Sequence, residues 1–376
     1  MVLPILASVF LVFASPYVGD IRGAVQSSFP DHYRWIIGIS VAAGVGVALA
    51  AAVTVFRRRD PSAAYDGSTR WQPWVQYALV ALAVSIGTTY ARAVSTGNPD
   101  VDLVEAFHFV EYGLITHLFY RAWRRRADVT AIVLPACAGL FVGVADEWMQ
   151  WFVPGRVGEL HDVWLNAVAA GCGLLFSVAI HPPISLALPR DRRSRLTLGA
   201  TVSVLVLTLA AFLDRVHLGY QISGGPTGTF RSRNDALALE AAAAGRPAQW
   251  RASPPPLRGF AREDHYLSEG LWHVQRRNDA DSNGDHWTAW NENLILERYY
   301  SPVLDRGARW PIEQRVDMER RVHGAAATPQ AYVSGAHPYP IYVASRQRVW
   351  VLTALLVTVI AALCSSRTAA ASKRTA

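Results

Sequence analysis

Charge is scarce in this chain. Asp, Glu, Lys and Arg make up 17% of its 376 residues, against roughly 25% in soluble proteins. Apolar residues reach 51%. Length alone would allow two or three soluble domains, but so little charge points to a membrane protein instead. Cysteine is also rare. The three present, Cys137, Cys172 and Cys364, all fall inside apolar runs. The long polar segment therefore holds no disulfide framework and no cysteine metal site. An internal repeat, convincing β alternation and a nucleophile motif are missing as well. The formal net charge is +7. The Arg clusters flank apolar runs, as topology signals do, which argues against nucleic acid as a partner.

What is present is a series of apolar runs, and about 20 apolar residues suffice to cross the hydrocarbon core. The first run is 2–19. A signal peptide is its rival, but no basic region precedes the run, and Pro16 follows Ala14-Ser15 where a cleavage site would need small residues. A retained span is expected, followed by a short amphipathic surface piece over 20–29. Further runs occupy 35–56, 74–94, 104–123, 129–152, 160–180, 196–213 and 349–364. Basic clusters follow the second run (Arg57, Arg58, Arg59), the fourth (Arg124, Arg125, Arg126) and the sixth (Arg190, Arg192, Arg193, Arg195), and Lys373 and Arg374 lie in the tail. Placing these clusters inside satisfies every loop of an eight-span topology. Both termini are then cytoplasmic, the 95–103 loop and the 153–159 turn are outside, and the polar segment 217–345 is extracytoplasmic.

The expected fold is an all-α polytopic membrane protein with about eight transmembrane helices. A mostly helical extracytoplasmic domain lies between the last two. The expected parts are N-terminal spans with a cytoplasmic loop (1–74), a membrane core (75–180), a cytoplasmic loop with the seventh span (181–216), the extracytoplasmic domain (217–345), and the last span with its basic tail (346–376). Within the polar segment, helix signals fall at 232–245, 261–279, 287–300 and 311–322. A proline-rich loop spans 246–259.

The candidate site lies where three runs meet. Helical spacing puts Glu105, His108, Tyr112 and Thr116 on one face of the fourth run, with Glu111 beside His108. The fifth run ends with Glu147 and Gln150 at i, i+3. The sixth opens with Asp162 and Asn166 at i, i+4, and its stripe continues as Ala170 and Gly173, small residues that permit close helix approach. The topology brings all three sets to the same leaflet. Arg156 sits in the intervening turn, where Pro154-Gly155 favours a tight reversal and a guanidinium can grip a phosphate or carboxylate.

Each residue also has a plainer role. His108 can be a hydrogen-bonded structural histidine. Glu147 and Gln150 can snorkel to water. Arg156 can be an interfacial anchor, and Asp162 with Asn166 can simply join helices. Trp148, Trp151 and Trp164 read as interface-belt residues. Glu105, His108, Glu111, Glu147 and Asp162 have N and O donors for a metal, but no spacing signature demands one. In the polar segment His265, Glu269 and His273 form a helical stripe. It lacks the His-Glu-x-x-His pattern of zinc hydrolases, so a solvated or domain-facing stripe is expected. Glu292, Asn293 and Glu297 read as a structural helix face. No metal and no cofactor is expected.

The stretches EAFHFVEYGLITHLF and DEWMQWFVPGRVGELHDVWLNAVAAGCG resemble the VanZ-like family of bacterial membrane proteins. The resemblance covers residues 75–180. It rests on His108 and Tyr112, on Glu147 and Gln150, on the Pro-Gly-Arg turn with Arg156, and on Asp162 and Asn166. It implies a bacterial inner-membrane setting and a connection to glycopeptide resistance or envelope homeostasis, without implying a reaction. The polar segment and the final span depart from the short family members.

Three functions are open at this point. The first is binding of an anionic or lipid-linked headgroup at the outer leaflet by Glu105, His108, Tyr112, Glu147, Gln150, Arg156, Asp162 and Asn166, with an envelope protein partner docking through 217–345. The second is a membrane hydrolase or transferase on lipid-linked substrates, with Glu147 or His108 in acid–base roles. The third is a transporter, disfavoured by the absence of paired broken helices and inverted repeats.

Overall fold

The computed structural model describes residues 1–57, 71–153, 158–245, 265–324, 331–337 and 339–365. Arg58, Arg59, the Pro154-Gly155-Arg156 turn, the 246–259 loop, the first residues of the 261–279 helix, Lys373 and Arg374 lie outside the described residues. The chain divides into two compact units. Unit 1 comprises Met1–Gln150, Leu160–Ala211 and Val351–Ala376, and unit 2 comprises Trp151–Glu159 and Phe212–Trp350.

Unit 1 is helical. Its elements are α1 (Val2–Ser28), α2 (Tyr33–Arg57), α3 (Pro73–Ala93), α4 (Pro99–Trp123), α5 (Thr130–Gln150), α6 (Leu160–Ile180) and α7 (Arg192–Phe212), with most of α12 (Arg346–Ser365). A 21-residue helix such as α5 or α6 is about 31 Å long at 1.5 Å per residue, the thickness of the hydrocarbon core. By length and composition six helices are fit to cross a membrane: α2, α3, α5, α6, α12, and α7 extended to His217. A seventh is α1 if its halves, Val2–Ser15 and Tyr17–Ser28, bent by 64°, count as one span. The surface piece expected at 20–29 is therefore the second half of α1 rather than a separate element.

The fourth expected span, α4, has 25 residues but is not apolar enough to be counted with them. Its surroundings explain this. It packs against α1, α2, α3, α5 and α6, and between 101 and 123 only Leu114, Arg121 and Ala122 are exposed. A helix covered by other helices can carry Glu105, His108, Glu111 and His117 because those groups meet protein rather than lipid. Tyr112, Ile115 and Phe119 of α4 form a core with Val142 of α5 and Ala169 of α6. At Gly113 and Gly173 the backbones of α4 and α6 touch, and a Cβ added to Gly173 would lie 2.4 Å from Gly113 Cα.

Unit 2 is mostly helical but contains a sheet that its sequence pattern did not suggest. Strand β1 (Leu218–Ser223) pairs antiparallel with β2 (Thr229–Ser232), from Tyr220↔Ser232 to Ser223↔Thr229. It also pairs in parallel with β3 (Tyr342–Val343), giving the order β2-β1-β3. Strands this short carry too little alternation to stand out, and β3 arrives from the far end of the segment. Helix α8 (Ala236–Gly245) begins four residues later than expected. Ser232 ends β2, and Asp235 caps the helix by accepting from Ala238 N at 2.8 Å. Helices α9 (His265–Ser282), α10 (His286–Tyr299) and α11 (Ile312–Gly324) follow. Their core contains Ile222, Phe230, Leu239, Tyr266, Ile295 and Tyr299. Arg346 ties the two ends of the unit, donating to Asp214 at 3.2 Å and to Leu218 O at 3.1 Å.

Candidate functional site

Within unit 1, α4, α5 and α6 build a buried polar cluster whose hub is Asp146. Tyr112 donates its hydroxyl to Asp146 Oδ2 at 2.9 Å. Gln150 Nε2 donates to the same oxygen at 3.0 Å and to Glu147 Oε1 at 3.0 Å. One amide nitrogen has two hydrogens, so it can serve both carboxylates. Ser15 of α1 adds a further hydroxyl to Asp146. Glu147 is 0% and Gln150 6% exposed, so neither snorkels to water. Glu111 is close enough to Asp146 for their charges to interact.

The remaining candidates are placed around this hub. His108 is tied to its own helix, with Nδ1 3.2 Å from both Val104 O and Glu105 O. Its ring stacks on Tyr112 at 6.0 Å between centroids, and it interacts electrostatically with Asp146. Glu105 interacts instead with Asp162, towards the start of α6. The structure thus joins Tyr112, Glu147 and Gln150 through Asp146, sets His108 beside them, and leaves Glu105 within reach of the like charge of Asp162.

Asn166 is fully buried one helical turn along the bundle. It lies against Gly143, where an added Cβ would come within 2.8 Å of Asn166 Cβ. Neither amide atom of Asn166 has a hydrogen-bond partner among the described residues, and the same holds for Asp146 Oδ1, Glu105 Oε2 and Thr116 Oγ1. Thr116 sits against Gly139 in the same way. Two glycines on α5 therefore make room for two polar side chains from its neighbours.

Sequence reasoning underused Asp146 and missed a second polar group. His117 Nδ1 lies 2.9 Å from Ser177 Oγ, and Tyr120 donates to His181 O. The available signal was the continuing helical step, from Tyr112 and Thr116 to Tyr120 on α4, and from Gly173 to Ser177 on α6.

In unit 2 the stripe of α9 turns inward. Glu269 accepts from Ser232 Oγ at 2.6 Å, Arg233 N at 2.9 Å and Tyr300 at 2.9 Å. Burial pushes its carboxyl above the usual range, and those donors offset part of the shift. His273 Nδ1 lies 2.5 Å from Glu292 Oε2, and Ser334 and Tyr332 donate to Oε1. Burial alone would raise the Glu292 carboxyl, but the donors from His273, Ser334 and Tyr332 outweigh it and hold the group low. Among the described residues no group of three or more His, Cys, Asp or Glu is placed to hold a metal. Trp151 is not a belt residue. It is buried in unit 2, stacked on His265 at 5.2 Å with the Arg233 guanidinium 5.1 Å from its ring centre. Trp164, at 64% exposed, is free to take an interface role.

Apolar helices of membrane-crossing length around a buried acidic cluster define a multi-pass membrane protein. Residues 45–181, from within α2 to just past the end of α6, match the VanZ/LLP1 family model, so this stretch of the chain is similar to that family. No curated protein and no solved structure matches the chain significantly.

Proposed function

We propose that this protein is an envelope factor of the bacterial cytoplasmic membrane that holds the headgroup of a lipid or lipid-linked precursor at the outer leaflet. The observation that carries this reading is Asp146. It is buried and fixed by Tyr112 and Gln150, yet keeps one oxygen unpartnered among the described residues. An ionisable group at membrane depth is costly and is retained for function by default. The Arg clusters support an orientation with the start of α4 and the end of α5 outside, both termini inside and 217–345 extracytoplasmic. Tyr112, Glu147, Gln150 and Asn166 would line the site, with His108 beside it and Glu105 and Asp162 at its outer rim. Arg156 would hold a phosphate. Unit 2 would recruit an envelope protein. A role in glycopeptide resistance or envelope homeostasis rests on the family likeness.

Native mass spectrometry of the detergent-purified protein tests this, with wild type beside Asp146→Asn and Arg156→Ala. A co-purifying envelope lipid that is lost in the variants is expected. A lipid retained equally by all three would overturn the site. If Glu147→Gln keeps the lipid but abolishes its conversion to a product, the hydrolase or transferase reading replaces simple binding.

A further inference from the structure

The chemistry of the orphaned atoms narrows the ligand, given the headgroup site proposed above. Asp146 Oδ1 can only accept a hydrogen bond when ionised, and Asn166 Oδ1 can only accept. Both are buried without partners among the described residues. Leaving such oxygens unpaired costs more than an ordinary hydrogen bond returns. These oxygens therefore want donors, while the equally unpartnered Asn166 Nδ2 can give one N–H to an acceptor of the same ligand. The site also wants positive charge, because Glu111, Asp146 and Glu147 lie together in a low-dielectric bundle. The neighbouring His108 already directs one ring nitrogen at its own helix backbone. A phosphate would bring acceptors and negative charge to this lining, opposite to what it needs. A neutral polyol would leave the charge uncompensated. A quaternary ammonium would bring charge but no N–H.

We propose that the α4–α5–α6 cluster binds a primary ammonium group. Asp146 Oδ1 and Asn166 Oδ1 accept its N–H bonds, and Glu111 supplies counter-charge. Gly143 is part of the same device. It leaves room for Asn166 against α5, three residues before Asp146. Asn166 and Asp146 are then specificity-determining residues, and Tyr112 and Gln150 are positioning residues that hold the other Asp146 oxygen.

The test uses the full chain in nanodiscs with equal parts of phosphatidylethanolamine, phosphatidylcholine and phosphatidylglycerol, read by native mass spectrometry of the lipid retained after release. Wild type should keep the ethanolamine lipid over the choline lipid by about tenfold, the ratio expected for charge-assisted hydrogen bonds. Asp146→Asn and Glu111→Gln should each abolish that preference. The Glu111 variant guards against misfolding at the hub, since it leaves the Tyr112–Asp146–Gln150 network in place. Free ethanolamine identifies the source. Its displacement of the lipid supports recognition of the amine alone, and a preference that survives it supports a lipid-borne amine. Equal retention of the ethanolamine and choline lipids, or a preference unchanged in both variants, overturns the proposal. Asp146-dependent retention of phosphatidylglycerol overturns the ammonium while leaving the headgroup site standing, and retention of no lipid overturns both.

Discussion

The two units bury carboxylates in opposite ways. In unit 2, Glu269 and Glu292 are each met by three donors, from β2, α9, Tyr300 and the 332–334 segment. In unit 1, one oxygen of Asp146 is crowded with donors, while its other oxygen and both amide atoms of fully buried Asn166 have none among the described residues. A carboxylate with its hydrogen bonds filled is part of the architecture. One held rigidly and left incomplete is suited to receive something. Burial alone does not separate structural from functional acids; the accounting of their hydrogen bonds does.

The largest effect that would break this contrast is in unit 2. His273→Leu leaves Glu292 buried without its principal partner. It should destabilise the unit by about 3–5 kcal/mol, as for one half of a buried pair, measured by denaturation of the full chain with peptide-level hydrogen exchange. A loss under about 1 kcal/mol would make the His273–Glu292 contact as dispensable to stability as the missing partner of Asp146 Oδ1. Next comes Gly173→Ala, where the new methyl meets the Gly113 backbone. About 1–3 kcal/mol of destabilisation is expected from overpacking, seen as a lower thermal midpoint.

The pH response follows in size. The Glu292 carboxyl is held below its ordinary value of 4.5 in the folded state. Its contribution is therefore complete above that value and is lost as pH falls through the folded pKa. Glu269 is shifted upward, so its contribution is present below 4.5 and lost as pH rises through the raised value. Glu292→Gln should therefore narrow its stability gap from wild type on acidification, and Glu269→Gln should widen the stability of neutral over mildly acidic solution relative to wild type. Urea midpoints across pH would show both, and parallel profiles in all three proteins would contradict the assignment. The smallest stability effects belong to unit 1. Asp146→Asn should cost under about 1 kcal/mol, because Tyr112 can still donate to an amide oxygen. Asn166→Leu should be neutral or slightly stabilising, because it removes a buried amide without partners. If Asn166→Leu instead unfolds the bundle, Asn166 is structural and the contrast between the units fails.

Much of the helical frame was legible in the chain. The predicted run at 160–180 coincides with α6, and the runs at 74–94 and 129–152 differ from α3 and α5 by one or two residues at each end. Apolar runs and caps are local signals, and a helix closes its own hydrogen bonds. The candidate site was legible as spacing on three helices, but its hub was not. Asp146 and Glu147 are neighbours in sequence, and only the packing of Tyr112 and Gln150 distinguishes their roles.

The sequence by itself determined that this is a multi-helix membrane protein with a stretch similar to the VanZ/LLP1 family, because hydrophobic length and residue spacing are written along the chain. Tertiary structure alone decided the rest. It shielded α4 with five helices, so that a helix with this much charge is tolerated there. It brought β3 beside β1 from more than a hundred residues away, and it drew Trp151 into unit 2. It also left Asp146 Oδ1 and the Asn166 amide without partners among the described residues while completing Glu269 and Glu292. Whether a buried polar atom finds its partner depends on groups distant in sequence, and no local pattern records it.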